Sequence, residues 1–332
     1  MVCKEVGDKF FCILIDEARD ISKWEQMTII LRFENNHWIL TERFFAIKSD
    51  VSVIWEFFSH LENIVNIVTS STKHIAELHT AQRNEIEHML AIGECDSGSG
   101  ANQIGNLQRA GATRWSSHYD SVKSLIGIYA ASCKVFEVLS DYSPNGRAKA
   151  EVRGIYRNMA SFEFVVILHL MYKIMIITDT LCHILQIKSQ DILIAITFVS
   201  TTKTILQELR ECGWEEFLHE VKVFCLRNDI DVPDLDCLYK IGRSCQQTTI
   251  EHHYHFDVFN VAIYFILMEL NTQFNESSVE LLSLSTALDL KILFDSINSD
   301  DICKLAKKFY PEDFTNQDIV ALNMNWYIIN LM

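Results

Sequence analysis

The sequence predicts an α+β fold that is mainly α-helical, and three observations support this. Short apolar runs rich in Ile, Phe and Thr fill the first fifty residues, as is typical of strands. From Val51 onward, apolar residues recur every three or four positions, which is the helical period. The chain has only 3 Pro and 11 Gly in 332 residues, so few helix breaks are expected. We therefore expect three strands in residues 1–50 and an all-helical domain in residues 51–332.

The predicted strands are FFCILID at 10–16, MTIILRF at 27–33 and WILTERFFAI at 38–47. The segment ENNH supplies turn residues before the last strand, so the last two strands are expected to form a hairpin.

The first helix is predicted by apolar residues that share one helical face: Ile54, Phe57, Phe58, Leu61, Ile64, Val65 and Val68. Further helices are predicted at 72–92, 116–140, 148–158, 161–187, 190–212, 214–228, 256–275, 299–309 and 316–330. Clusters of Gly, Pro, Asn, Asp and Ser at 93–106, 141–147 and 228–236 indicate connectors.

Composition limits the function classes. The net charge of -15 opposes a simple phosphate-binding surface, because nonspecific affinity for nucleic acid comes from Lys and Arg. The 10 cysteines include no C-x-x-C pair, which indicates reduced thiols in a cytoplasmic or nuclear protein. The N-terminus lacks the pattern of a signal peptide, so secretion is not expected.

The most apolar segment, at 162–185, is long enough to span a bilayer. It carries Glu163, Lys173 and Asp179, which favour a buried core helix over a membrane span. His169 and His183 in this helix are expected to be core histidines with local hydrogen-bond partners. No membrane association is expected.

Asp16 follows an apolar strand, a position where metal-binding carboxylates of strand-based nucleases lie. Because side chains alternate across a strand, Asp16 and Glu17 point to opposite faces. Two-metal phosphoryl chemistry needs several converging carboxylates. From its position alone, Asp16 is better explained as a turn or cap residue.

The segment EHHYHFD at 251–257 is the densest histidine cluster. His252 and His255 are three residues apart and Asp257 is near, so this set is a candidate metal site. The alternative, a packing role where a helix begins, is favoured because the H-E-x-x-H pattern is absent.

The segment GATRWSSHYDSV at 111–122 has no catalytic partner beside it. We expect a structural role, in which Ser116 or Ser117 caps the following helix, Trp115 anchors its first turn in the core, and Arg114 binds an acidic or backbone group.

A series of segments, taken in order, resembles the hAT-type transposase-derived proteins of plants. The series is FFCILIDEARDISKWEQMTIILRFENN, ERFFAI, LQRAGATRWSSHYDSVKSLI, the stretch from Phe162 to Leu218, HHYHFDVF and FYPEDF. These proteins are described as TTF-type zinc-finger or zinc finger MYM-type protein 1-like proteins. The resemblance implies a ribonuclease H-like core interrupted by a large helical insertion domain. Residues 1–50 would be an incomplete core, and residues 51–332 the insertion domain.

The resemblance also implies roles for individual residues. Asp16 matches the first carboxylate of the family's Asp-Asp-Glu magnesium site. The family motif Thr-Arg-Trp-Gly-Ser-His matches Thr113, Arg114, Trp115, Ser117 and His118, with Ser116 in place of the glycine.

The departures from the family imply lost activity. The segment that normally carries the second catalytic Asp is missing between Ala46 and Val51. The chain stops before the segment with the third acidic residue, and it lacks the family's N-terminal zinc finger. We therefore expect a degenerate transposase-derived protein without a cofactor, in which magnesium served only the ancestral activity.

Three functions stay open at this point. The first is a catalytically inactive helical module that binds proteins, with homo- or hetero-oligomers of transposase-like proteins as partners; the acidic charge argues against DNA binding. The second is a metal-dependent DNA transposase or nuclease, if a longer product restores the missing segments. The third is a helical scaffold unrelated to DNA. The resemblance favours the nucleus, with the cytoplasm as the alternative.

Overall fold

The structure is a computed structural model that describes residues 11–19, 25–34, 40–46, 52–91, 104–108, 115–142, 146–187, 192–241, 244–288 and 299–329. It is mainly helical, which confirms the dominant part of the predicted fold class. The chain divides into two compact units. The first consists of Met1–Asp179 and Leu209–Ile263, and the second of Thr180–Glu208 and Tyr264–Met332.

Three antiparallel strands lie in the N-terminal region, in the order β1-β2-β3. They are β1 (Phe11–Arg19), β2 (Glu25–Glu34) and β3 (Leu40–Ala46). Phe11 lies opposite Phe33 and Thr28 opposite Ala46 in the register. The predicted runs lie on these strands, although β1 continues beyond Asp16 to Arg19. The ribonuclease H-like identity of the sheet and the domain boundary after residue 50 stay predictions.

The described helices up to residue 227 are α1 (Ser52–Thr69), α2 (Thr72–Ala91), α3 (Trp115–Gly127), α4 (Tyr129–Tyr142), α5 (Gly146–Met159), α6 (Phe162–Leu185), α7 (Ile192–Cys212) and α8 (Trp214–Arg227). Next come β4 (Leu238–Ile241), β5 (Ser244–Thr249), α9 (Ile250–His252) and a π-helix (His253–Asn260). The chain continues with α10 (Val261–Gln273), α11 (Glu276–Ser285), a 3-10 turn (Thr286–Leu288), α12 (Ser299–Phe309) and α13 (Asn316–Ile329).

The core of the first unit contains the apolar face predicted for α1. Its buried members are Phe57, Leu61, Ile64, Val65 and Val68. Helix α6 contributes a nearly continuous buried run from Phe164 to Leu170. The face predicted for α1 from its three- and four-residue spacing is therefore confirmed.

Among the residues that the structure describes, two helices are apolar and long enough to cross a membrane, α6 and α7, and their most apolar windows are 67% and 17% buried. Burial identifies α6 as a core helix, as predicted. Two of its three charges are accommodated locally, since Glu163 is exposed and Lys173 pairs with Glu220 at 2.8 Å, whereas Asp179 is buried. His183 is exposed near the end of α6, so the prediction of a core histidine is wrong there.

The second unit has a small core of its own. Leu284 of α11 packs with Leu305 and Phe309 of α12, and Leu281 covers them. The acidic start and the basic end of α12 agree with the helix dipole.

The described structure departs from the predicted elements in three places. The helix predicted at 116–140 is interrupted at Ile128, where Gly127 and a β-branched residue both have low helix propensity. The β4–β5 hairpin lies in the region expected to be all-helical, and its short strands gave no long alternation to detect. Helix α11 was missed, although Asn275 caps it by accepting from the Ser278 amide at 2.9 Å.

Candidate functional site

The histidine segment that the sequence singles out lies on the π-helix. Thr249 starts the helical turn by accepting a hydrogen bond from the His252 amide at 3.1 Å. The π form then runs from His253 to Asn260 before the α form resumes at Val261. Such π segments are rare and frequently occur at functional sites, so this segment is the candidate site on structural grounds as well.

His255 stacks on Trp214, the first residue of α8. The ring centroids are 4.5 Å apart and the planes differ by 2°. Trp214 is buried, and its indole N–H donates to Glu251 at 3.4 Å. Burial lowers the pKa of His255, although Glu251 and Glu215 oppose that shift. The imidazole therefore acts here as a flat packing surface for the indole.

His253 has different partners. Its ring stacks on Tyr239 of β4, with centroids 3.7 Å apart and planes 14° apart. Its Nδ1 lies 3.2 Å from the Asp257 carboxylate. Burial raises the pKa of Tyr239, with smaller contributions from Glu163 and Asp257. The acid proposed as a metal ligand thus pairs with His253.

The three candidate ligands have separate neighbours. His252 is exposed and its ring lies beside Phe256, with centroids 4.6 Å apart. His255 lies on Trp214, and Asp257 bonds to His253. Within the parts of the chain that the structure describes, no group of three or more His, Cys, Asp or Glu side chains is placed to hold a metal ion. The packing alternative describes the geometry of these residues.

Buried aromatic rings complete this site. Tyr254 packs edge-on against Phe162 of α6, with centroids 5.4 Å apart. Phe259 lies 5.5 Å from Trp214 and 4.9 Å from Phe217. We call these side chains the histidine–aromatic cluster: Trp214, Phe217, Tyr239, His253, Tyr254, His255 and Phe259. The cluster ties the π-helix to α6, α8 and β4 within the first unit.

The Thr-Arg-Trp motif is only partly described. Thr113 and Arg114 lie outside the described residues, and so do the side chains of Trp115 and Ser116. Helix α3 begins at Trp115, so both serines lie in its first turn and not in the capping position that we expected. His118 is buried, with its ring edge against Phe58 of α1 at 5.4 Å.

Tyr119, the residue after His118 in α3, packs against a different helix. Tyr119 stacks on Tyr172 of α6, with centroids 6.1 Å apart and planes 15° apart. The Lys123 ammonium lies 5.5 Å from the centre of the Tyr119 ring. His118 and Tyr119 thus fix α3 against α1 and α6, which supports a structural role for this end of the motif.

Asp16 lies inside β1, opposite Thr28 of β2. Its side chain is outside the described residues. Strand β3 ends at Ala46 and α1 begins at Ser52, so only residues 47–51 separate them in the sequence. The structure therefore places Asp16 on β1.

His169 is a core histidine, as predicted. It is buried, its Nδ1 lies 2.9 Å from the Val165 carbonyl, and its ring meets Phe224 edge-on with centroids 4.5 Å apart. Burial lowers its pKa. Nothing in this setting exposes the imidazole to a substrate.

One family match identifies a relationship. Residues 1–75 match the family model described as ZMYM1/FAM200, RNase-like domain. This match supports a transposase-derived, ZMYM1/FAM200-like relationship. It covers β1 to β3, α1 and the start of α2, and so includes Asp16. No curated protein and no solved structure matches the chain.

Sequence reasoning missed the π-helix and the rings that stack on its histidines. One signal was available for Trp214, because Gly213 separates it from α7. A Cβ on Gly213 would lie 2.5 Å from the Leu209 carbonyl oxygen, so the close turn needs glycine. This turn sets where α8 begins and therefore where Trp214 lies.

Proposed function

We propose that this chain is a catalytically inactive, transposase-derived protein whose helical part binds other proteins. The observation that carries the proposal is the short connection between Ala46 and Ser52, inside the region that matches the RNase-like family. Residues 47–51 are too few to be the long segment that carries the family's second catalytic carboxylate. A single Asp cannot hold two divalent ions against a phosphate.

The histidines support the same interpretation. His118, His169 and His255 are all engaged with aromatic rings. Burial lowers the pKa of His169 and of His255, which disfavours the charged form of each ring. These side chains stabilise the fold and are not arranged for chemistry.

The proposal also covers the type of the ancestral transposase, the organism group, the compartment and the partners. We assign the ancestor to the hAT type and the chain to plants, with the nucleus as its compartment and no metal cofactor. The net charge of -15 opposes binding to DNA phosphates. The expected partners are transposase-like proteins, either identical copies or relatives.

Asp16 favours a second candidate, a metal-dependent DNA transposase or nuclease. It lies on a strand within the matched region, where the first metal ligand is expected. This candidate requires a longer product that supplies the other carboxylates.

A plasmid-nicking assay tests the proposal. Supercoiled DNA is incubated with the chain and magnesium or manganese, and Asp16→Ala and Glu17→Ala are run beside it. We expect no nicking above background for any of the three proteins. Metal-dependent nicking that is lost in Asp16→Ala and kept in Glu17→Ala would overturn the proposal.

A further inference from the structure

Helix α7 carries an apolar stripe that faces solvent. Ile194, Phe198 and Ile205 are 49%, 40% and 43% exposed. Together with Thr201 they are spaced by four, three and four residues, which is the seam of a two-helix coil. We call these four residues the α7 seam. They lie in the second unit.

The threonine hydroxyls in and beside the α7 seam donate hydrogen bonds to carbonyls of the same helix. Thr201 donates to the Thr197 carbonyl at 2.9 Å, and Thr197 donates to the Leu193 carbonyl at 2.9 Å. Thr204 donates to the Ser200 carbonyl at 3.2 Å. Because these threonine hydroxyls already have acceptors, another helix can pack on this face without leaving any of them without a hydrogen-bond acceptor.

The seam also lacks charge. Lys203 is the only charged residue between Ile192 and Gln207, and its ammonium donates to the Phe274 carbonyl at 2.8 Å. Two identical copies would therefore bring no like charges together along the seam. A charged residue in mid-helix also argues against α7 as a membrane span.

The exposed area fits a modest protein interface. On the same helix, Leu193 next to Ile194 is 47% exposed. Together with the seam it presents roughly 400 Å² of apolar surface, which is within the range of the largest patch on a monomer. This is about half of the roughly 800 Å² per partner of a stable interface, so association is expected at micromolar concentrations.

We propose that two copies of this chain associate through the α7 seam. A second copy fits because the seam is uncharged, has coiled-coil spacing and matches itself. The inference rests on the proposed function, since it names the partner of the helical part.

The test is sedimentation velocity of the full chain at micromolar concentrations. We expect a dimer for the unchanged chain and for Leu226→Glu, a control on α8 whose side chain is 80% exposed. Phe198→Glu and Ile194→Glu should each weaken association by about tenfold or more, because a charge enters the dry seam. Unchanged circular dichroism shows that each variant is folded.

Three outcomes would overturn the inference. They are a monomer at all concentrations, a dimer that persists in both Glu variants, and Phe198-dependent flotation with phosphatidylcholine vesicles in place of self-association.

The nicking assay separates this inference from the proposed function. If the dimer depends on Phe198 and nicking depends on Asp16, the interface is supported and the proposed inactivity is wrong. If the chain is a monomer and does not nick DNA, the interface is wrong and the proposed inactivity is supported.

Discussion

The His255 ring lies parallel to the Trp214 indole, with 2° between their planes and 4.5 Å between their centroids. This pair joins the π-helix to the first turn of α8. Residues that suggested a metal site are thus part of the packing of the first unit.

Trp214→Ala should strongly destabilise the first unit. The indole is buried against His255, Phe217 and Phe259, so its loss leaves a cavity. We expect a loss of about 3 to 5 kcal/mol. Urea unfolding followed by circular dichroism measures it, and Trp214→Phe should recover part of the loss. A change below about 1 kcal/mol for Trp214→Ala would contradict the packing role.

Acid should destabilise the chain through His169, which is buried, and His255, which is half-buried. The folded-state pKa values of His169 and His255 are lowered by burial, so the unfolded state binds protons first. Their protonation does not affect stability above the unfolded pKa of about 6.5, and stability falls as the pH drops below that value.

Thermal unfolding between about pH 8 and pH 5 measures this dependence. His169→Phe should lose less stability on acidification than the unchanged chain. His183→Gln, at an exposed position of the same helix, is run beside it for comparison. Identical slopes for His169→Phe and the unchanged chain would contradict the assignment.

Gly213→Ala should destabilise the turn between α7 and α8. The new methyl group would lie 2.5 Å from the Leu209 carbonyl oxygen, so the backbone must move. We expect a loss of about 1 to 3 kcal/mol. Gly154→Ala is the matched control, since a Cβ there would meet no atom within 4 Å apart from the surrounding backbone of its own helix, and alanine favours the helix by about 1 kcal/mol. Equal effects of the two substitutions would refute the explanation.

Thiol reactivity should separate buried from exposed cysteines. Burial raises the pKa of Cys133 to about 12 and that of Cys225 to about 11. Cys212 and Cys237 are exposed. Iodoacetamide at mildly alkaline pH should therefore modify Cys212 and Cys237 before Cys133 and Cys225, because the thiolate is the nucleophile. Peptide mass spectrometry reads the order, and early modification of Cys225 would argue against its buried position.

Helical periodicity predicted the elements whose faces are strongly one-sided. The face of α1 and the bounds of α12 follow from local spacing. The β4–β5 hairpin and the π-helix did not, because they depend on contacts between distant segments such as Tyr239 with His253 and Trp214 with His255.

The contacts of the candidate site could not be predicted from the sequence for the same reason. The cluster at 251–257 was visible as a concentration of histidines, but its partners on α8 and β4 were not. Whether a histidine coordinates a metal or stacks on a ring depends on what the fold places opposite it. Sequence spacing does not contain that information.

Manganese binding tests the central claim most directly. Electron paramagnetic resonance measures free Mn²⁺ during titration of the chain, with Asp16→Asn beside it. The account predicts the same weak binding for both proteins, because one carboxylate does not form a two-metal site. Tight binding by the unchanged chain that is lost in Asp16→Asn would contradict it.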